Sequence, residues 1–212
     1  CIDSYTGKVR WSTFLLGNLI DVIYLNNDSL AIVGGNKLNC LDRKTGDLIW
    51  EFNTLEEILS APVEKDGIIY FTASEGVLYA VDLISGKEIW NFKIDNNSTS
   101  MQYLSNPVIV DNTILLSSGL YNTLYAVDIV SHNEIWRFEN LDNHNANLFS
   151  DGTNAYLVNG NGSIYAFDIS NADIKWGIGL DTSINSNCTI MYGYIYLYIY
   201  AKYMIFIAIQ IY

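Results

Sequence analysis

The chain has 212 residues, half of them hydrophobic and 14% aromatic, with 16 tyrosines. That is enough apolar material for a sizeable core, and a surplus of tyrosine, isoleucine and valine favours pleated, half-buried surface over helix. A formal net charge of −12 with no basic stretch argues against nucleic-acid binding, which needs lysine and arginine to release counterions, and against adsorption to an anionic membrane surface.

The chain opens directly on a polar segment, with no initiator methionine and no signal peptide. A processed N-terminus or a piece of a longer protein is therefore expected. The opening residues, CIDSYTGKVRW (Cys1 to Trp11), are the first of five gapless copies of one pattern. The others are CLDRKTGDLIW from Cys40, AVDLISGKEIW from Ala80, AVDIVSHNEIW from Ala126 and AFDISNADIKW from Ala166. In each copy an aspartate (Asp3, Asp42, Asp82, Asp128, Asp168) precedes a tryptophan (Trp11, Trp50, Trp90, Trp136, Trp176) by eight residues, and a small residue lies two before the aspartate. All five tryptophans of the chain are used, at spacings of 39, 40, 46 and 40. A period of about 40 residues marks a repeat architecture.

The third copy shows what a repeat contains. A short strand around Ala61 to Glu64 leads to an Asp66-Gly67 turn, and a second strand runs from Ile68 to Thr72. A Glu75-Gly76 turn, an alternating strand from Val77 to Val81, a turn at Ser85-Gly86 and a last strand from Glu88 to Phe92 follow. Four short strands with Gly/Asp turns make one propeller blade, and the 3.6-residue apolar period of helical repeats is absent. The aspartate should end the third strand and accept backbone N–H bonds in the turn. Gly7, Gly46 and Gly86, four residues later, suit a positive φ. His132 and Ala172 stand in that place in the last two copies, so those turns are expected to be less regular. The tryptophan should close the fourth strand, largely buried between sheets, with its N–H on one carbonyl. The small residue before the aspartate should leave room for the ring.

These residues resemble the tryptophan-docking repeat of the PQQ-like propeller family, A-x-D-x-x-x-G-x-x-x-W, and the resemblance covers residues 1–176. The family holds both quinoprotein alcohol dehydrogenases and BamB-type outer-membrane assembly lipoproteins. It implies an all-β propeller ring of about eight four-stranded blades, of which this chain supplies part. One propeller region is expected across 1–212, with a partial blade at 1–14, full blades at 20–53, 59–93, 105–138 and 146–178, and a degenerate partial blade or aberrant tail at 186–212. Unpaired edges at the ends would leave an isolated chain poorly soluble or oligomeric.

Two ends need separate readings. Cys1 could be the lipid-bearing first residue of a mature lipoprotein, but it occupies the small-residue slot that Cys40 also fills. Residues Met191 to Tyr212 carry a single charge, Lys202. The alternation of Tyr194 to Tyr200 favours a strand, and Phe206 to Gln210 stands where LYAVD should be, with Gln210 in the aspartate's place. A degenerate sixth blade is the favoured reading, with an out-of-frame tail and a membrane helix as alternatives.

Catalytic signals are sparse. Cys1, Cys40 and Cys188 form no CxxC and no adjacent pair, which argues against zinc and against a disulfide framework. The quinoprotein resemblance would require an adjacent cysteine pair, a calcium held by Glu and Asn/Asp oxygens, and a catalytic aspartate. The repeat aspartates are accounted for by turns, and Asp95, Asn96 and Asn97 could offer oxygens but read equally as a polar loop. His132 and His144 have no nucleophile in a recognisable triad. Gly160-Asn161-Gly162 reads as a hairpin turn, not a phosphate cradle. Asn27, Asn97, Asn161 and Asn187 open N-x-S/T triplets, which matter only in a eukaryotic secretory route. No catalytic, cofactor-binding or metal residue is therefore assigned, and PQQ and calcium enter only under the enzyme alternative. The reading is a non-catalytic protein-binding scaffold, by resemblance at the periplasmic face of a bacterial outer membrane. A protein partner, one of the outer-membrane assembly components, is expected, with neither nucleic acid nor a membrane span. The rival is a fragment of a PQQ-dependent dehydrogenase. Contact loops are expected at Asn53 to Leu59, Ile94 to Leu104 and Phe138 to Asn147.

Overall fold

The computed structural model describes residues 1–15, 19–25, 28–94, 104–118, 123–139, 147–180, 182–184, 188–200 and 204–211. These fall into two compact units, Cys1–Met101 and Gln102–Tyr212.

The first unit opens with a hairpin-like stretch bridged between Ile2 and Val9. A four-stranded antiparallel sheet follows, in the order β1 (Leu19–Tyr24), β2 (Ser29–Gly34), β3 (Lys37–Asp42) and β4 (Leu48–Asn53). The second sheet repeats it with β5 (Val63–Lys65), β6 (Ile68–Ala73), β7 (Val77–Asp82) and β8 (Glu88–Lys93). Asp66 and Gly67, with φ of 52° and 80°, make the two-residue turn whose twist matches the flanking strands. The Glu75-Gly76 turn is a 3-10 turn over Ser74–Gly76, with Glu75 at φ 64°.

The second unit holds two further four-stranded sheets and one of three strands. The first has β9 (Val108–Val110), β10 (Thr113–Ser118), β11 (Thr123–Asp128) and β12 (Glu134–Phe138). The next has β13 (Asn147–Ser150), β14 (Asn154–Val158), β15 (Ser163–Asp168) and β16 (Ile174–Gly179). The last has β17 (Thr189–Met191), β18 (Tyr194–Tyr200) and β19 (Met204–Gln210). The apolar C-terminal stretch is therefore strand where it is described, and no helix among the described residues is long and apolar enough to cross a membrane.

Burial explains the composition. The two central strands of the four-stranded sheets are nearly all buried, whereas the fourth strands alternate between exposed and half-buried residues. A strand buried on both faces must be apolar at odd and even positions alike. In β14, Ala155 and Leu157 pack with Leu115 and Leu124 of the sheet before. Their neighbours Tyr156 and Val158 pack with Ile195 and Leu197 of the sheet after. In the first unit Ala31, Val33 and Cys40 meet Ile69, Phe71 and Tyr79 across the gap between the two sheets. Four-stranded antiparallel meanders packed face to face in this way are propeller blades, and the fold is all-β.

The register locates the motif. Asp42, Asp82, Asp128 and Asp168 are each the last residue of a third strand, and the small residue pairs directly with the tryptophan: Cys40 with Trp50, Ala80 with Trp90, Ala126 with Trp136 and Ala166 with Trp176. In all four sheets the register slips at this point, so Ile49, Ile89, Ile135 and Lys175 sit on a β-bulge just before the tryptophan. The tryptophan is thus the third residue of the fourth strand and does not close it. A bulge bends the strand and re-aims the next side chain, and the indoles of Trp50 and Trp136 point toward the neighbouring sheet. Trp90 is buried, whereas Trp11, Trp50, Trp136 and Trp176 are only half-buried, because an outer strand leaves one edge of the ring in water. The last sheet keeps the same register without the motif. Gln210 pairs with Tyr194 and Ala208 with Tyr196, as Asp168 pairs with Asn154 and Ala166 with Tyr156.

Candidate docking face and the motif that supports it

The motif residues form a repeated joint between sheets. Asp42 Oδ1 accepts from the backbone N–H groups of Lys44 and Thr45 at 2.8 and 2.9 Å. Asp3 does the same for Tyr5 and Thr6, Asp128 for Val130 and Ser131, and Asp82 and Asp168 accept from Ser85 and Ser170. These bonds, led at Asp82 by the one from the Ser85 hydroxyl, hold the carboxyls of Asp42, Asp82 and Asp128 below the usual carboxylate range. At Asp168 the hydroxyl and N–H of Ser170, then Lys175, bring it down to about 2. Asp3 is lowered most by its ion pair with Arg10.

The tryptophan then reaches across. Trp11 Nε1 donates to Arg43 O at 3.0 Å, Trp50 Nε1 to Leu83 O at 3.0 Å and Trp136 Nε1 to Ile169 O at 2.8 Å. Each acceptor is the residue immediately after the next repeat's aspartate. For Trp11 and Trp50 the ring lands on that repeat's glycine: a Cβ on Gly46 would stand 2.4 Å from Trp11 Cε3, and one on Gly86 would stand 2.5 Å from Trp50 Cδ2. Glycine suits these two places on two counts, for its φ of 80° or 66° and for the room it leaves.

The expectation of irregular turns at His132 and Ala172 is corrected. Both take the same left-handed conformation, at φ 60° and 64°. Their N–H groups donate to Asp128 O and Asp168 O at 2.9 and 3.0 Å, as Gly46 and Gly86 do to Asp42 O and Asp82 O at 2.8 and 2.9 Å. The aspartate's clamp fixes the turn, and the fourth residue tolerates the strain. Gly160-Asn161-Gly162 links β14 to β15 as a hairpin turn, with Gly162 N–H on Asn159 O at 3.0 Å.

Strand direction sorts the loops. The motif turns share one end of each sheet with the turns between first and second strands. The opposite end carries the turns between second and third strands together with the segments running from sheet to sheet. Asn53 to Leu59 lies at that opposite end of the first unit and is tightly pinned. Thr54 N–H donates to Asn36 O at 3.0 Å, Asn36 Nδ2 to Thr54 O at 3.0 Å, and Ile58 N–H to Gly35 O at 2.8 Å. Ile58 is fully buried and bridges Ala73, as Leu104 bridges Ser118 at the matching place in the second unit. Between these anchors Leu55 is 96% exposed, flanked by a half-buried Glu56 and an exposed Glu57. Sequence reasoning placed a contact loop here but missed Leu55, because a single leucine gives no sign of which way it points. Of the other two predicted loops, residues 95–103 and 140–146 lie outside the described residues, as do His144 and the Asp95-Asn96-Asn97 run.

Among the described residues no group of three His, Cys, Asp or Glu side chains could hold a metal ion. Cys1, Cys40 and Cys188 form no disulfide. Burial pushes the thiol of Cys188 up to about 11 and raises that of Cys40, so neither is a poised nucleophile. A cleft of about 470 Å³ between the second unit's first two sheets is lined by Asp111, Thr113, Thr153, Asp168 and Ser170 with Ile135. Asp168 is already engaged there by Ser170 and Lys175.

Blades joined through an Asp/Gly turn and a docked tryptophan define a PQQ-like propeller repeat protein. The family model for outer membrane protein assembly factor BamB matches residues 1–107, half of the chain. The chain belongs to that BamB family. The BamB of Moranella endobia (strain PCIT) is 24% identical over 131 residues, covering 55% of this chain and 33% of the relative. The BamB of Yersinia pestis is 28% identical over 120 residues, covering 51% and 30%. The matches thus span about a third of the length of these curated relatives. Among solved structures, BamB from Moraxella catarrhalis superposes with a TM-score of 0.76 at 15% identity, covering 92% of this chain and 62% of that one. A europium-containing methanol dehydrogenase superposes at 0.67 with 14% identity, covering 90% and 51%. At such identities these two likenesses establish the fold alone.

Proposed function

We propose that the chain is a non-catalytic protein-binding propeller region acting in outer-membrane protein assembly, at the periplasmic face of a bacterial outer membrane, with no cofactor of its own. The observation that carries this reading is Leu55, a fully presented apolar side chain on a pinned loop between two blades, in a chain whose curated relatives are named assembly factors. An exposed apolar anchor held by a rigid frame suits protein contact, and a strongly negative surface disfavours nucleic acid. A photo-crosslinking residue placed at Leu55 should capture an outer-membrane assembly component in cells. Leu55→Asp should abolish capture of the same protein, while the far-UV spectrum stays unchanged. Crosslinks scattered over unrelated proteins, or capture indifferent to Leu55→Asp, would refute the assignment.

The fold likeness to a methanol dehydrogenase supports one rival, a quinoprotein oxidoreductase. Adding PQQ with calcium should give no bound quinone absorbance and no dye-linked alcohol oxidation. Tight stoichiometric PQQ binding would overturn the scaffold reading in favour of the enzyme.

A further inference from the structure

Leu55 sits on a loop whose order is secured from beneath by one core side chain. Tyr79, on the central strand β7, is only 7% exposed. Its ring stacks on Phe71 at 5.4 Å and meets the edge of Phe52 at 5.8 Å. Its hydroxyl emerges at the loop and donates to Glu56 Oε2 at 2.8 Å. A phenol donating to a carboxylate is among the stronger hydrogen bonds a protein makes. The Tyr79 hydroxyl is accordingly hard to ionise, first through burial and then through this bond. On the other side of Leu55, the Thr54 hydroxyl lies 3.0 Å from Asn36 O and 2.6 Å from Glu56 O. Leu55 is therefore bracketed by two fastened residues, one tied to the β2–β3 turn and one to the core.

We propose that Tyr79 and Glu56 form a latch that keeps the Asn53–Leu59 loop ordered before any partner arrives, so that Leu55 is presented ready-made. The role rests on the reading of this loop as a docking surface. A loop already ordered loses little conformational freedom on binding, and the saving appears as affinity. On this reading the partner offers an apolar socket that receives one fixed leucine. Tyr79 is thus a positioning residue, acting on the contact through Glu56.

The latch can be read without any partner, by amide hydrogen exchange. The reporters are Thr54, Ile58 and Ser74, whose N–H groups donate to Asn36 O, Gly35 O and Glu57 O at 3.0, 2.8 and 2.8 Å. Tyr79→Phe keeps the ring and its packing and removes only the hydroxyl, and Glu56→Ala breaks the same bond from the loop side. Each should speed exchange at the three reporters about tenfold or more, the scale of losing a hydrogen bond to a charged group. The comparison variant is Tyr156→Phe, which removes an equivalent bond to Asp151 Oδ2 (2.7 Å) in the other unit and should leave the reporters unchanged. Unaltered exchange in both latch variants, or an equal rise in Tyr156→Phe, would overturn the latch. Crosslinking at Leu55 reports docking independently, so an ordered loop that captures nothing would count against the docking reading and leave the latch standing.

Discussion

Replacing Gly86 by alanine tests the joint between blades at one atom. The new Cβ would stand 2.5, 2.6 and 2.8 Å from Cδ2, Cε3 and Cγ of Trp50, on a backbone with φ of +66°. Backbone is on one side and a docked indole on the other, so the ring must lift. Overpacking of this kind costs about 1–3 kcal/mol, and the left-handed conformation adds about 1–2 kcal/mol for an L side chain. Lifting the ring also stretches the 3.0 Å bond from Trp50 Nε1 to Leu83 O, worth about 1 kcal/mol. A smaller unfolded-state entropy returns about 0.4–1 kcal/mol. A net loss of about 3 kcal/mol is expected. Gly67→Ala separates the causes, because Gly67 has φ of +80° but nothing within 4 Å of a Cβ, so only the backbone effect of about 1 kcal/mol remains. Urea unfolding followed by tryptophan fluorescence would measure both, with about 2–4 °C of Tm expected per kcal/mol in a chain of this size. A Gly86→Ala loss no larger than that of Gly67→Ala would refute the clash with Trp50.

Three further outcomes are expected. Trp50→Ala should destabilise by about 3–5 kcal/mol, and Trp50→Phe by clearly less, since the ring contact partly survives while the Leu83 carbonyl loses its donor; equal losses would contradict the docking geometry. Ala172→Gly should raise stability by about 0.5–1 kcal/mol by relieving the left-handed strain at φ 64°, and a drop in urea midpoint would show that the methyl group matters more than the backbone. Asp168 is depressed in the folded state to about 2, below its ordinary value of about 3.9. Its stabilising effect is therefore present above pH ~4 and lost as pH falls toward ~2, so Asp168→Asn should flatten the fall of Tm across that window, whereas an unchanged acid limb would remove Asp168 from the account.

The primary structure by itself determined the blade. Asp and Trp eight residues apart, five times over, report a turn that must close and a ring that must dock, and both are local demands written in residue type. The small residue two before each aspartate was legible for the same reason, since it faces the tryptophan directly across the strand pair. Period-two alternation likewise made the tyrosine-rich end a strand, and its register alone shows Gln210 and Ala208 standing where aspartate and alanine stand elsewhere. What only the tertiary structure decided concerns contacts between residues far apart in the chain. The bulge before each tryptophan depends on how the fourth strand accommodates its neighbour, and no residue type marks it, since isoleucine fills the place three times and lysine once. The turns at His132 and Ala172 stay regular because the aspartate clamp outweighs their backbone strain. Leu55 is the plainest case. A leucine in an unremarkable stretch of sequence is left in water because Thr54 is tied to Asn36 and Glu56 to Tyr79, 23 residues away, and the direction of a side chain belongs to the frame that holds it.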